Sequence, residues 1–117
     1  MLLRDKDLAS LRTIFAETDT PFEIWAYGGR VSGEAHDGSD LDLVMRPHDL
    51  QKTPISLFVQ IKNKIQESNI PIIVELFDWA RLPETFHRNI LAQHEVLFSN
   101  LGMAVNKPEA EYKKLSA

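Results

Sequence analysis

Two aspartates, Asp40 and Asp42, stand two residues apart at the start of a short apolar run that ends at Met45. Because the side chains of a β-strand alternate between its two faces, both carboxylates are expected to point the same way. Like charges that are held together and partly removed from water repel each other unless a cation or a ligand offsets them. The spacing therefore predicts a pair of ligands for Mg²⁺, which takes one or two carboxylates and completes its shell with water and substrate phosphates.

A glycine-rich turn, Gly28-Gly29-Arg30, precedes this pair in the chain. Glycine lets backbone N–H groups approach a phosphate without a Cβ in the way, and a following helical turn would add its first amides. We expect Gly28 and Gly29 to seat the phosphates of a nucleotide. The side chain of Arg30 could clamp a phosphate oxygen, or could pair with Glu34 or Asp37 at the surface.

A third carboxylate, Glu75, lies within the apolar run 71–78. That run is apolar on both faces, as expected of a covered strand, and an unpaired charge inside it would be costly. We expect Glu75 to complete a metal site or to accept the proton of an attacking hydroxyl. Two alternatives remain open: Glu75 on an edge strand facing water, and Asp78 as the third ligand, although its odd offset places Asp78 on the opposite face of a regular strand.

The composition is typical of one soluble globular domain. The chain has 117 residues, of which 44% are hydrophobic and 26% are charged, and this suits a single core. A net charge of −4 without a basic block argues against direct nucleic-acid binding. The lack of cysteine fits a reducing compartment, and no apolar run approaches the length of a membrane span. We expect a cytoplasmic protein without a membrane segment.

Hydrophobic periodicity predicts the elements that position these residues. Helices are expected from Asp5 or Asp7 to about Thr18, from Thr53 as N-cap to Asn69, and from Pro83 onward; strands are expected over 22–27, 40–45, 71–78 and 96–98. Since helices and strands alternate without a repeat or a linker, one α/β unit accounts for the chain.

Taken together, the motifs resemble those of the minimal nucleotidyltransferases of the polymerase-beta superfamily. The resemblance rests on Gly28-Gly29, then ten residues, then Asp40-Leu41-Asp42, and on the strand that carries Glu75. It implies an α/β (α+β) fold, in which a single nucleotidyltransferase domain over 1–105 has a small mixed sheet and helices packed mainly on one face. A flexible C-terminal tail is expected over 106–117.

The same resemblance implies a reaction and a partner. An acceptor hydroxyl would attack the α-phosphate of ATP with pyrophosphate leaving, assisted by two Mg²⁺ ions. Stand-alone domains of this kind often sit beside a small helical HEPN protein, so the implied role is that of an antitoxin that transfers AMP to a tyrosine of a HEPN toxin. A homo-oligomer stays open. The implied catalytic and metal-binding residues are Asp40, Asp42 and Glu75, and the implied nucleotide-binding residues are Gly28, Gly29, Arg30 and Ser39.

Two positions depart from the family pattern, because Gly29 stands where members usually carry serine and Glu75 where they usually carry aspartate. Loss of a hydroxyl donor to a charged phosphate costs about 1.5–3 kcal/mol, or roughly ten- to a hundredfold in rate, so a reduced activity is expected. Two other functions therefore stay open. One is a binding module of the same fold that neutralises its partner by contact alone, and the other is an enzyme that adenylylates a small hydroxylated compound.

Overall fold

A mixed four-stranded sheet forms the centre of the molecule. The computed structural model describes residues 1–36 and 38–102, so the predicted tail over 106–117 lies outside the described residues. The strands are β1 (Phe22–Tyr27), β2 (Leu41–Pro47), β3 (Val74–Asp78) and β4 (Glu95–Ser99), in the order β3-β2-β1-β4. Strand β1 is antiparallel to both β2 and β4, whereas β2 and β3 are parallel. The predicted small mixed sheet is confirmed.

The helices pack mainly on one face of this sheet. They are α1 (Asp5–Phe15), α2 (Gly29–Ser32), α3 (Ile55–Gln66) and α4 (Glu84–Ala92), and a 3₁₀ turn covers Trp79–Arg81. Apolar residues of α1 and α3 bury the main core against the sheet: Leu11, Phe15, Ile61 and Ile65 pack with Ile24, Leu43 and Met45. A smaller cluster of Trp25, Val44, Trp79 and Ile90 lies apart from this core. Because strand residues alternate, Trp25 and Val44 belong to the opposite face.

Helices α1 and α3 end about three residues earlier than expected, at Phe15 and Gln66, and the N-cap of α3 also differs from the expectation. We expected Thr53 to cap this helix, whereas α3 begins at Ile55 and its N-cap residue, Pro54, makes no side-chain cap bond. Thr53 is buried, and its backbone N–H and its hydroxyl donate to the Asp78 carboxylate at 3.0 and 2.8 Å. The Thr53 hydroxyl therefore serves a long-range contact that no local pattern reveals.

The expectation of a covered strand over 71–78 is wrong. Strand β3 begins at Val74 and lies at the end of the sheet, next to β2. Ile73 is 63% exposed and Glu75 is exposed as well. Glu75 is thus an edge-strand residue that faces water, which was the alternative left open by the sequence.

No helix within the described parts of the chain is both long enough and apolar enough to cross a membrane.

Candidate active site

One row of side chains crosses three strands of the sheet. Tyr27 at the end of β1 pairs with Asp42 on β2, and Asp42 pairs with Glu75 on β3. Because residues in register project from the same face of a sheet, the phenol and the two carboxylates share one side. The structure therefore brings the predicted Asp42 and Glu75 together, with Asp40 two residues before Asp42 and exposed.

The glycine turn abuts this row. Gly28 has φ 82° and ψ −158°, a conformation that is essentially confined to glycine. A Cβ placed at Gly28 would lie 2.7 Å from Oδ2 of Asp42, which is too close for any L-residue. The turn continues into α2, so the predicted helical turn is present, and its first N–H groups have no partner within that helix.

Burial and, to a lesser extent, mutual repulsion oppose ionisation within the carboxylate group. Burial raises the pKa of the half-buried Asp42, and the neighbouring charges of Glu75 and Asp40 raise that pKa further. In the described part of the chain, none of these three carboxylates takes part in an ion pair. The folded protein therefore holds negative charge at this point against an electrostatic cost.

The donor atoms suit a hard cation, although the described side chains do not form a closed metal site. Among residues 1–36 and 38–102, no three acidic, histidine or cysteine side chains are gathered closely enough to hold an ion by themselves. Mg²⁺ commonly takes only one or two carboxylates and leaves its other positions to water and substrate phosphates. The half-buried Asp42, whose pKa is raised by burial and by two like charges, supplies such oxygens.

Asp78, the alternative third ligand, is occupied elsewhere. Its buried carboxylate accepts hydrogen bonds from Thr53 and pairs with Arg81 Nε at 3.2 Å. Its register partner is Met45, a residue of the main core. Asp78 therefore anchors the segment before α3 to the end of β3, away from the face that carries Glu75.

Arg30 and Ser39 hold the loop that leads to Asp40. Arg30 is buried, and its guanidinium donates to the Ser39 carbonyl through Nε at 2.9 Å and Nη2 at 2.6 Å, and to the Leu2 carbonyl through Nη1 at 2.6 Å. The Ser39 hydroxyl accepts a hydrogen bond from the backbone N–H of His36 at 3.1 Å. These contacts fix the approach to β2, and a direct contact of either side chain with a nucleotide stays a prediction.

Tyr27 is the site residue that sequence reasoning missed. It directly precedes Gly28, and the alternation along β1 places it on the side opposite the buried Ala26. This alternation could have drawn attention to Tyr27. Its alignment with Asp42 and Glu75, however, depends on the register of three strands, which the sequence does not state.

Comparison with known proteins identifies the class. Residues 9–101 match the family described as "Polymerase beta, Nucleotidyltransferase". The chain therefore belongs to the polymerase-beta nucleotidyltransferase family, and the resemblance drawn from Gly28-Gly29 and Asp40-Leu41-Asp42 is confirmed.

The chain is also similar to individual proteins. The probable protein adenylyltransferase MntA of Haemophilus influenzae is 32% identical to this chain over 110 residues, which cover 92% of each protein. A solved structure described as "Crystal structure of the toxin-antitoxin with AMP-PNP" aligns with a TM-score of 0.61 at 16% identity, covering 83% of this chain and 74% of the other. The structural likeness confirms the fold.

Proposed function

We propose that this protein transfers AMP from ATP to a tyrosine hydroxyl of a helical HEPN toxin, and that it acts as the antitoxin of that pair. The observation that carries the proposal is the alignment of Asp42 with Glu75 beside the Gly28–Gly29 turn. Similarity over nearly the whole chain to a probable protein adenylyltransferase supports AMP as the transferred group. The fold likeness to a toxin–antitoxin structure supports a toxin as the partner.

In this proposal, Asp40 and Asp42 hold Mg²⁺ and Glu75 completes the acidic set. Mg²⁺, when bound, neutralises negative charge on the phosphate oxygens as it develops in the transition state. The same positive charge would offset the burial and the repulsion that together raise the pKa of Asp42.

The remaining residues bind and orient the reactants. The backbone N–H groups of Gly28 and Gly29 seat the triphosphate, while Arg30 and Ser39 hold the loop that presents Asp40. Glu75, exposed at the sheet edge, accepts the proton of the attacking tyrosine hydroxyl. The hydroxyl oxygen then forms a bond to the α-phosphorus, the bond from that phosphorus to the bridging oxygen breaks, and pyrophosphate leaves.

The test uses ATP labelled at the α-phosphate, Mg²⁺, and a helical HEPN protein as the acceptor. We expect the label to appear on a tyrosine of the HEPN protein. Asp42→Asn should remove this labelling because it replaces a ligand oxygen by an amide, whereas Asp19→Asn, at an exposed position outside the row, should leave it unchanged.

Two results would contradict the proposal. Labelling by Asp42→Asn at the wild-type rate would show that the carboxylate row is not the reaction centre. A HEPN protein that is bound and silenced by the wild-type chain without being labelled would instead establish the contact-only antitoxin.

A further inference from the structure

Tyr27 stands between the two parts of the candidate site. It immediately precedes the Gly28–Gly29 turn in the chain, and it pairs in register with Asp42. The proposed seat of the triphosphate and the carboxylate row therefore meet at this residue, although the proposed mechanism gives it no role.

The ring of Tyr27 extends over the neighbouring strand β2 towards β3. Its centroid is 6.5 Å from that of Phe77, a residue of β3 separated from β1 by the whole of β2. Tyr27 is half-buried and packs beside the cluster that contains Trp25 and Val44. The phenol is thus held over β2, on the face that carries Asp42 and Glu75, with part of its surface open.

A tyrosine hydroxyl is protonated at neutral pH, and the burial of Tyr27 favours this form. A protonated phenol can donate one hydrogen bond, and a donor is what phosphate oxygens require. Gly29, the neighbouring residue of the turn, contributes no side-chain donor.

We propose that the Tyr27 hydroxyl donates a hydrogen bond to a phosphate of the nucleotide seated at Gly28–Gly29, and so supplies the side-chain donor that the turn lacks. This inference rests on the proposed function for the nucleoside triphosphate as ligand and for its place at Gly28–Gly29. It does not depend on which protein accepts the AMP.

A side-chain hydroxyl can also be introduced two residues after Tyr27, at Gly29. A Cβ at Gly29 would meet its nearest atoms, all in Ala35, at 3.5 Å or more, which is ordinary van der Waals contact. Gly29→Ser is therefore accommodated and puts a hydroxyl where members of the family usually carry serine. Ser10→Ala is the control, since it removes an exposed hydroxyl that donates to the Lys6 carbonyl within α1.

The experiment measures the dissociation constant of α,β-methylene-ATP, whose α–β linkage is not cleaved, in the presence of Mg²⁺. Five proteins are compared: wild type, Tyr27→Phe, Gly29→Ser, the double variant, and Ser10→Ala. We expect Tyr27→Phe to weaken binding roughly ten- to a hundredfold, as for the loss of a hydrogen bond to a charged group. Gly29→Ser should recover most of that loss in the double variant, and Ser10→Ala should bind as the wild type does.

Wild-type affinity in Tyr27→Phe would overturn the inference. A loss that Gly29→Ser fails to recover would also overturn it, because the phenol hydroxyl would then act at a place other than the phosphate seat. Far-UV circular dichroism and thermal unfolding of each variant establish that the compared proteins are folded. Since no acceptor is present, failure of AMP transfer to the HEPN protein would leave this result standing.

Discussion

At the scale of single residues, the surroundings of Asp42 disfavour the charged form of its carboxyl group. Its carboxylate is half-buried and lies near the charges of Glu75 and Asp40, so all three influences oppose its ionisation. In the folded protein the pKa of Asp42 is therefore above its value in the unfolded chain. Such a group stabilises the fold fully only below the unfolded pKa, and this stabilisation is lost as the pH rises through the raised pKa.

We therefore predict that Asp42→Asn raises the melting temperature of the metal-free protein at pH 7. The difference from the wild type should shrink as the pH falls below about 4, where the unfolded aspartate is also protonated. Thermal unfolding in EDTA between pH 3 and 7 measures both effects, with Asp19→Asn as the control for removal of one negative charge. Addition of Mg²⁺ should stabilise the wild type but not Asp42→Asn, and a lower melting temperature of Asp42→Asn in EDTA at pH 7 would contradict this account.

Alanine substitution of two glycines with positive φ can separate the cost of backbone strain from an effect on the candidate site. Gly28 and Gly33 have φ values of 82° and 90°, but a Cβ would strike Asp42 only at Gly28, whereas nothing lies within 4 Å at Gly33. We predict that Gly33→Ala lowers the free energy of unfolding by about 1–2 kcal/mol and preserves AMP transfer. Gly28→Ala should cost about 1–3 kcal/mol and also abolish transfer, because the Asp42 carboxylate must move.

Urea unfolding and the labelling assay, performed on both alanine variants, distinguish the two contributions. Equal transfer activity in Gly28→Ala and Gly33→Ala would mean that contact between the turn and Asp42 is not needed for the reaction.

At the scale of elements, Arg30 connects segments that are distant in sequence. From α2 it bonds the carbonyl before Asp40 and the carbonyl of Leu2, and its own carbonyl accepts a hydrogen bond from Leu2 N–H at 2.9 Å. One buried residue thus fixes the Gly28–Gly29 turn, the entry to β2 and the segment before α1 relative to one another.

We predict that Arg30→Gln lowers the free energy of unfolding by about 3 kcal/mol, the upper range for hydrogen bonds made by a charged group. Arg88→Gln is the matched control, because the Arg88 side chain is 64% exposed and lies 3.7 Å from Glu84, a surface pair worth less than about 1 kcal/mol. Urea unfolding measures both. If Arg30→Gln keeps wild-type stability and loses only ATP affinity, the guanidinium acts as the phosphate clamp instead.

The elements also show what local sequence can predict. Strand β1 spans the predicted residues 22–27, because its aromatic and apolar run ends at the glycine turn without a long-range contribution. The opposite orientations of Glu75 and Asp78 on β3 followed from alternation alone. The edge position of β3 did not follow from the sequence, since strand order depends on which other element covers an apolar run. The contact between Thr53 and Asp78 did not follow either, because it joins residues 25 positions apart.

At the scale of the whole molecule, the two faces of the sheet differ in how far they are buried. One face is buried against α1 and α3 and supplies the main core. The opposite face is divided along the strands: Trp25, Val44 and Trp79 are buried with Ile90 of α4, whereas Tyr27, Asp42 and Glu75 remain partly or fully exposed. The half that is left open is the half that a nucleotide can reach.

The buried half of this face stabilises the open half through the strands that they share. Trp25 lies two residues from Tyr27, and Val44 lies two residues from Asp42, so each buried side chain has the same orientation as a site residue on the same strand. The guanidinium of Arg46 lies over Trp25 at 3.8 Å and over Trp79 at 4.4 Å, and so links β2 to both indoles. A slip of one residue in β2 would remove Val44 from this cluster and turn Asp42 to the core face at the same time. Packing that buries the aromatic cluster therefore also specifies the register on which the carboxylate row depends.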